Sequence, residues 1–598
     1  MFSDQQQPGA GGGGGEPVYV VVAVGVAAAA VSWTLWLAAA LTALLSGHGW
    51  HGDTARRGLP FAGHLFISRG DAAGAWAEGA GGGELGPAWL YWVLAVLLLG
   101  IVLVLPTWVL MARRSRRRAR GAQWARRDQE RRMVVPADPV RRLWRLTAGL
   151  SKRTRRLLAG ADCMSAIAFG PNGSGKTVSL VVPNALEWQG PALISTAKGP
   201  DIFYMLRARE AVGPVHVFAP TGLPGYRTSR WSPVAYATDE AAAARMARWL
   251  CEAAGMDDPS SRPWMMQARQ FVGPLLLAAN LSGCGIDALV DFVQRGKAAE
   301  ADVRQILQKH GAQTFLRQYT GVWNNLHADG IGSVLFTANL IIDPYLNPII
   351  RESATDSDFT VEDILRDSGT IFVVSPPSES KALGPVCTAL LASLMYAVER
   401  EFERINANWQ DNGGGRHWLF RWRRTPAAPK PLHRRVLLGL DEAGNVFRFP
   451  ELAKVASTGR ALGVQLLAIF HDFSQLISMY GQDDARTIVS QCKMRIVLPG
   501  LADDVTLDYF SKGYGETVTQ RTSHTTGSDG RGSSTVSDHE IPLIAPYQIR
   551  ELERGRALVQ YDNLPPMRVL LRNAEADRHL LALANPTAAP STKTLENA

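Results

Sequence analysis

Cysteine is scarce in this 598-residue chain: there are five, at positions 163, 251, 284, 387 and 492. They lie far apart and form no C-x-x-C pair, which excludes a disulfide framework and a zinc site of that spacing and fits a reducing compartment for the bulk of the chain. No internal repeat is present, and nothing after Ala557 has the pattern of a winged-helix DNA reader. Charge is absent from Val18–Leu45, and Pro87–Met111 is a second apolar run. Each exceeds the ~20 residues that cross a bilayer, so both read as transmembrane helices. The alternative for the first is a cleaved signal peptide, but its leading region has no Lys or Arg and its apolar part is long for an h-region.

The net charge of +9 is unevenly spread. Residues 113–160 hold 17 Lys+Arg against 3 Asp+Glu, a net +14, which leaves −5 for everything else. That distribution weakens any reading of the whole surface as a nucleic-acid binder and assigns the excess to one juxtamembrane stretch. Arg113, Arg114, Arg116, Arg117, Arg118 and Arg120 directly follow the second run, so the positive-inside rule places that end, and with two spans the N-terminus also, in the cytoplasm. The same arginines also suit anionic lipid or DNA. Ser46–Gly86 is then a short outer loop with too little apolar material for a core of its own, and Met1–Gly15 a disordered glycine-rich tail.

What the chain does contain is Gly170-Pro171-Asn172-Gly173-Ser174-Gly175-Lys176-Thr177, which fits G-x-x-x-x-G-K-[ST]. In such a loop small residues let backbone N–H groups curl round phosphates, the lysine reaches the terminal ones and the threonine holds magnesium. Apolar Ala161–Phe169 upstream suits a buried strand, and Val178–Trp188 a helix whose N-terminus faces the anion, although Pro183 sits awkwardly inside it. From Ala161 onward strands are expected at Ala192–Ser195, Val215–Phe218, Ile371–Ser375, Val436–Leu440, Val464–Phe470 and Met494–Leu498, alternating with helices as in a parallel α/β sheet. Thr238–Leu340 reads instead as an all-α insertion. Asn406–Pro431 and the Ser/Thr/Gly tract Thr517–Asp538 read as mobile loops.

Val436–Leu440 ends in Asp441-Glu442, a strand carrying two carboxylates to the phosphate loop: Asp441 to hold magnesium through water, Glu442 to polarise the attacking water. With the phosphate loop this points to a nucleoside triphosphatase using ATP and Mg2+. Arg460, eighteen residues beyond Glu442 in a Gly-flanked segment, reads either as a surface residue or as a finger reaching a neighbour's ATP.

In order and spacing these pieces resemble the TraG/TraD-like type IV coupling proteins. The resemblance is carried by the two-span hairpin, Gly170–Thr177, Ile194–Gly199 with Lys198, Trp231–Val234, Ser357–Phe359, Asp441-Glu442, Ser457–Gly463, Ser474–Leu476 and Tyr480-Gly481. It implies a RecA-like P-loop motor domain with an inserted all-α domain behind a transmembrane hairpin, working as a hexamer at the inner membrane. It further implies recruitment of DNA, as a relaxase–DNA complex, or of secreted proteins to a type IV secretion channel. Arg460 falls where the family places its finger. The implied segments are a tail to 15, a hairpin to 112, a basic linker to 160, nucleotide-binding parts at 161–237 and 341–575 around an all-α domain at 238–340, and a tail from 576. Two positions depart: Ala197 stands where an acidic residue usually precedes Lys198, and His471 where a glutamine is usual, with Gln475 close by. An FtsK-like DNA pump and a protein-substrate adaptor with weak ATPase activity are the rival readings.

Overall fold

The computed structural model describes residues 16–50, 56–80, 83–117, 121–136, 144–161, 164–254, 262–411, 435–446, 448–526 and 532–585. The chain forms two compact units, residues 1–120 and 121–598.

In the first unit two 30-residue helices, Glu16–Leu45 and Ala88–Arg117, pack together. Small residues make the close approach possible: Ala38, Ala39, Ala40 and Ala43 are fully buried. The connecting segment has no core of its own, as its composition predicts, yet it is not a bare loop. It folds into the helix Gly58–Ile67 and two short turns of helix, and inserts Phe61 and Trp76 edge-to-face beside Tyr91 of the second long helix. Trp89, Val93, Val96, Leu97, Ile101 and Val104 line an exposed apolar stripe on that helix. The expected tail at 1–15 lies outside the described residues.

The second unit is built on a mixed sheet of eleven strands. In chain order its members are β1 (Thr147–Ser151), β2 (Leu157–Ala159), β3 (Ala166–Phe169), β4 (Ala192–Thr196), β5 (Val215–Phe218), β6 (Thr370–Val374), β7 (Val436–Leu440), β8 (Val464–Phe470) and β9 (Met494–Val497). After an off-sheet hairpin of β10 (Glu516–Thr526) and β11 (Gly532–Pro542), β12 (Arg556–Tyr561) and β13 (Met567–Leu570) complete it. The spatial order is β2-β1-β13-β12-β9-β3-β8-β7-β4-β6-β5. From β9 to β5 every pairing is parallel, and from β9 outward through β12, β13, β1 and β2 every pairing is antiparallel. The parallel strands β3, β4, β6, β7 and β8 are buried at every position, which is why they read as unbroken apolar runs.

Three expectations change. The basic stretch to residue 160 is not a linker throughout, since it supplies β1 and β2; its arginines 153, 155 and 156 sit in the turn between them and hide two short, half-covered strands. Thr517–Asp538 is not a loose loop but most of the β10–β11 ladder, paired from Glu516↔Pro542 to Thr526↔Gly532. Thr and Ser favour extended backbone, and because both faces of the ribbon are exposed no apolar period marks it. The helix Arg578–Ala584 docks on the body through Leu580, so the chain beyond 576 is not all tail. Of the expected excursion at Asn406–Pro431, residues 406–411 end the long helix Ser380–Asp411 and the remainder lies outside the described residues. That helix is apolar enough to span a membrane, but 78% of its apolar window is buried inside the fold, as for a core helix. Between β5 and β6 the regular elements among the described residues are all helices, with Glu240–Ala253 to Ala328–Ile342 at the centre.

Candidate nucleotide site

The phosphate loop leaves the C-terminal end of β3 and enters a helix. Gly173 and Gly175 have φ of +79° and +86°, the left-handed region that lets successive N–H groups turn inward at little cost. A Cβ on Gly170 would meet Leu498 Cβ and Ser174 Oγ at 2.7 Å, so only glycine lets the loop lie against β9's end. The helix opens as a π turn, Thr177–Val181, and continues as an α-helix, Val182–Glu187, with Pro183 in its first turn. Pro183 is thereby accommodated: a proline deep in a regular helix would clash with the preceding turn, and the π turn opens that turn.

β7 lies two strands from β3 and brings its two carboxylates alongside. Thr177 Oγ1 donates to Asp441 Oδ2 at 2.6 Å, joining the two motifs directly. Asp441 Oδ1 is buried with no hydrogen-bond partner among the described residues. A buried carboxylate with one oxygen committed to the threonine hydroxyl and the other unmatched fits a hydrated divalent cation. Burial, with Glu442 and Asp201 adding and the Thr177 bond opposing, pushes the Asp441 carboxyl up to about 6. Glu442 is almost buried and adopts φ +50°, a backbone state disfavoured for a residue with a side chain and concentrated at functional sites. Lys198 Nζ lies 3.6 Å from Glu442 Oε1.

Lys176 is buried, with Nζ donating to Gly170 O at 2.8 Å and lying 2.8 Å from His471 Nδ1. Burial lowers its pKa, with Glu442 and Asp441 opposing. His471, just past β8, is likewise held below its ordinary pKa by burial and by the Lys176 charge, so its neutral ring accepts from the lysine. Gln475 Oε1 accepts from His471 N at 2.9 Å, and Gln475 N donates at 2.7 Å to Oδ1 of Asp472, the N-cap of the helix Phe473–Tyr480. The Gln475 amide also seats against Gly444, where a Cβ would meet it at 2.3 Å. His471 thus touches the lysine, while Gln475 holds the backbone of His471.

The structure thus gathers Gly170–Thr177, Asp441, Glu442 and His471 at one end of the parallel strands. Arg460 is not among them. It sits exposed in the last turn of the helix Leu452–Leu462 rather than in a turn, beside Gly463, whose carbonyl accepts from Val436 N at the opposite end of β7. That is on the order of 15 Å along the strands from Asp441. Ala197 is buried and offers no charge, but Asp201 was overlooked in the sequence. Its half-buried carboxyl is raised by burial and lies within electrostatic reach of Lys198 and Glu442. Only its place three residues past Lys198 hinted at it.

Two family models match the chain. One, described as type IV secretory system conjugative DNA transfer, covers residues 123–411, and the other, the TraM recognition site of TraD and TraG, covers residues 435–554. Protein VirD4 of Rhizobium rhizogenes is 21% identical over 529 residues, which are 82% of this chain and 70% of that protein. The conjugal transfer protein TraG of Agrobacterium fabrum is 25% identical over 423 residues, 67% of this chain and 59% of that protein. Among solved structures, an unbound form of the bacterial conjugative coupling protein TrwB lacking its N-terminal segment aligns with a TM-score of 0.51 at 18% identity, covering 76% of this chain and 93% of that one. TrwB in complex with ADP and Mg2+ aligns with a TM-score of 0.50 at 18% identity, over 76% and 94% of the two chains. The two structural likenesses establish a shared fold.

Proposed function

We propose that this chain, which belongs to the type IV coupling proteins, is a membrane-anchored ATPase that brings DNA, as a relaxase–DNA complex, to a conjugation or secretion channel. The observation that carries the reading is the 2.6 Å bond from Thr177 to Asp441, with the unmatched Asp441 Oδ1 beside it. It supports a site for ATP and Mg2+ in which Gly170–Gly175 wrap the phosphates, Lys176 leaves His471 for the terminal ones, and Thr177 and Asp441 hold the metal. The metal supplies charge neutralisation as phosphate is transferred to water. Glu442, fixed in its left-handed turn and steered by Lys198, orients that water.

Arg460 is exposed at the far end of β7 from its own chain's site, which supports a finger acting on a neighbour's ATP in a homo-hexamer. The two long helices, with the exposed apolar stripe of the second and the arginines that follow it, support a two-span anchor in the inner membrane with both termini cytoplasmic. The helices between β5 and β6 form the inserted all-α domain, at 238–340, between two nucleotide-binding parts. DNA contact is sequence-independent and weakens steeply with salt. The test is DNA-stimulated ATPase activity of Lys176→Ala and Glu442→Gln proteins together with mating by a Lys176→Ala strain. Lost hydrolysis and lost transfer with normal growth are expected; full activity in either variant overturns the assignment.

A further inference from the structure

The chain after β13 touches the phosphate-loop helix at a place where that helix cannot satisfy itself. In the π turn Val182 N donates to Thr177 O, five residues back. In the same register the carbonyl of Val178 would take its hydrogen from residue 183, but residue 183 is proline and has none. Ala574 N donates to Val178 O at 2.9 Å and fills that gap from outside the helix. A backbone carbonyl near the core left without a partner is costly, so the contact has an energetic reason to persist.

Two anchors hold Ala574 there. Arg572, only 6% exposed, reaches Glu187 at the far end of the phosphate-loop helix at 2.9 Å and Asp577 at 2.9 Å. Asp577 in turn caps the helix Arg578–Ala584, which packs its buried Leu580 toward Val182–Glu187. Tyr204 OH donates to Glu575 at 3.1 Å. The segment 571–584 therefore straps the phosphate-loop helix at both of its ends. It also lies outside both stretches matched by the family models, which end at residues 411 and 554.

We infer that Arg572, Ala574 and Asp577 are positioning residues of the nucleotide site: by closing the carbonyl that Pro183 leaves open, the strap keeps the π turn in the form that aims Thr177 at Asp441. The inference rests on the proposed role of Thr177 as a magnesium ligand. Whatever holds or displaces residues 571–584 then acts on metal-dependent nucleotide binding from 17 to 30 residues of sequence beyond the family's last matched segment, without entering the site.

The test uses the full-length protein in detergent, with Arg572→Met to release the anchor and Ala574→Pro to delete the one donor. In the nucleotide-free protein, hydrogen exchange at residues 178–182 is expected to quicken about tenfold. The gain in ADP affinity conferred by Mg2+ falls about tenfold, while affinity measured in EDTA stays within twofold. Pro183→Ala returns an N–H to the helix, so in that background Arg572→Met should cost less than threefold. Unchanged exchange in both variants, or an equal loss in the Pro183→Ala background, overturns the inference. If instead the wild-type protein binds no Mg2+–ADP, the proposed function fails while the exchange measurement still judges the strap.

Discussion

The sheet has two halves that do different work. Its parallel half ends in Gly170–Thr177, Asp441, Glu442 and His471, a cluster of buried polar groups with a strained backbone and shifted titrations. Its antiparallel half, β12, β13, β1 and β2, gathers no such cluster at its strand ends among the described residues: Leu558, Val559 and Val569 are wholly buried, and its buried polar groups are paired off, Ser151 donating to Glu130 and Thr147 N to Asn184. Parallel neighbours point all their C-terminal ends one way, so loops from different strands converge on one ligand. Antiparallel neighbours alternate and gather nothing. Removing a side chain from the first half should therefore damage chemistry and spare stability, and the reverse should hold in the second.

The largest effect sharpens where the chemical half ends. Arg460→Ala, exposed and far from its own phosphate loop, is expected to lower DNA-stimulated ATPase activity of the assembled protein by about 10³, with ADP affinity and the unfolding midpoint unchanged. Mixing Arg460→Ala subunits with Lys176→Ala subunits, which keep the arginine, should partly restore turnover at the sites of the Arg460→Ala subunits. A reduction under threefold would return Arg460 to an ordinary surface residue. The complementary substitution is Leu558→Ala on β12. It should cost about 2–5 kcal/mol of stability by denaturant unfolding, yet leave kcat per folded molecule within twofold. A large fall in kcat would show that the antiparallel half shares in the chemistry.

A smaller effect separates the halves by pH. Asp441 has its carboxyl raised from the ordinary carboxylate range to about 6 by burial. A raised folded-state value means that the stabilising, protonated form is fully present below the unfolded-state value and lost as pH climbs through about 6. Without magnesium, wild-type protein should thus lose stability between about pH 4 and pH 6 relative to Asp441→Asn, which should be the more stable of the two at pH 8. Magnesium should narrow that gap at pH 8 for the wild type only. A gap independent of pH would mean that Asp441 is not the group titrating.

The halves also differed in how far the sequence exposed them. β7 and β8 have the boundaries that their apolar runs mark, because a strand buried on both faces has little choice of residue, and the half-buried edge strand β5 keeps its marked boundaries too. The phosphate loop and Asp441-Glu442 were legible for a chemical reason, since few other residues can do those tasks. β1, β2, β12 and β13 were not: Arg153, Arg155 and Arg156 sit between the first two, and Arg556 and Arg568 lie within the last two, so none of the four reads as a long unbroken apolar run. Pro183 looked like a flaw until Ala574, nearly four hundred residues later, was seen to answer it, and no local pattern encodes that pairing. Gln475 seated on Gly444 is hidden in the same way.

The β10–β11 ribbon belongs to neither half and sets the lower limit of the comparison. Its eleven paired positions run from Glu516↔Pro542 to Thr526↔Gly532, and where its side chains are described beyond the base they are exposed. The ladder is tied to the body at its foot, where Ala122 N donates to Glu516 O at 2.6 Å and Leu543 N to Gly515 O at 2.9 Å. Two strands without an apolar face contribute little to a fold beyond their own hydrogen bonds. Replacing residues 520–538 by a two-residue Asn-Gly turn, which suits a tight hairpin, should keep both ties and shift stability by less than about 0.5 kcal/mol, the range of surface changes. DNA-independent ATPase activity should stay within twofold. A larger loss of stability would mean that the ribbon packs on the body more than its exposure indicates. A loss of activity alone would place it at a contact between subunits, where its length would count and its burial within one chain would not.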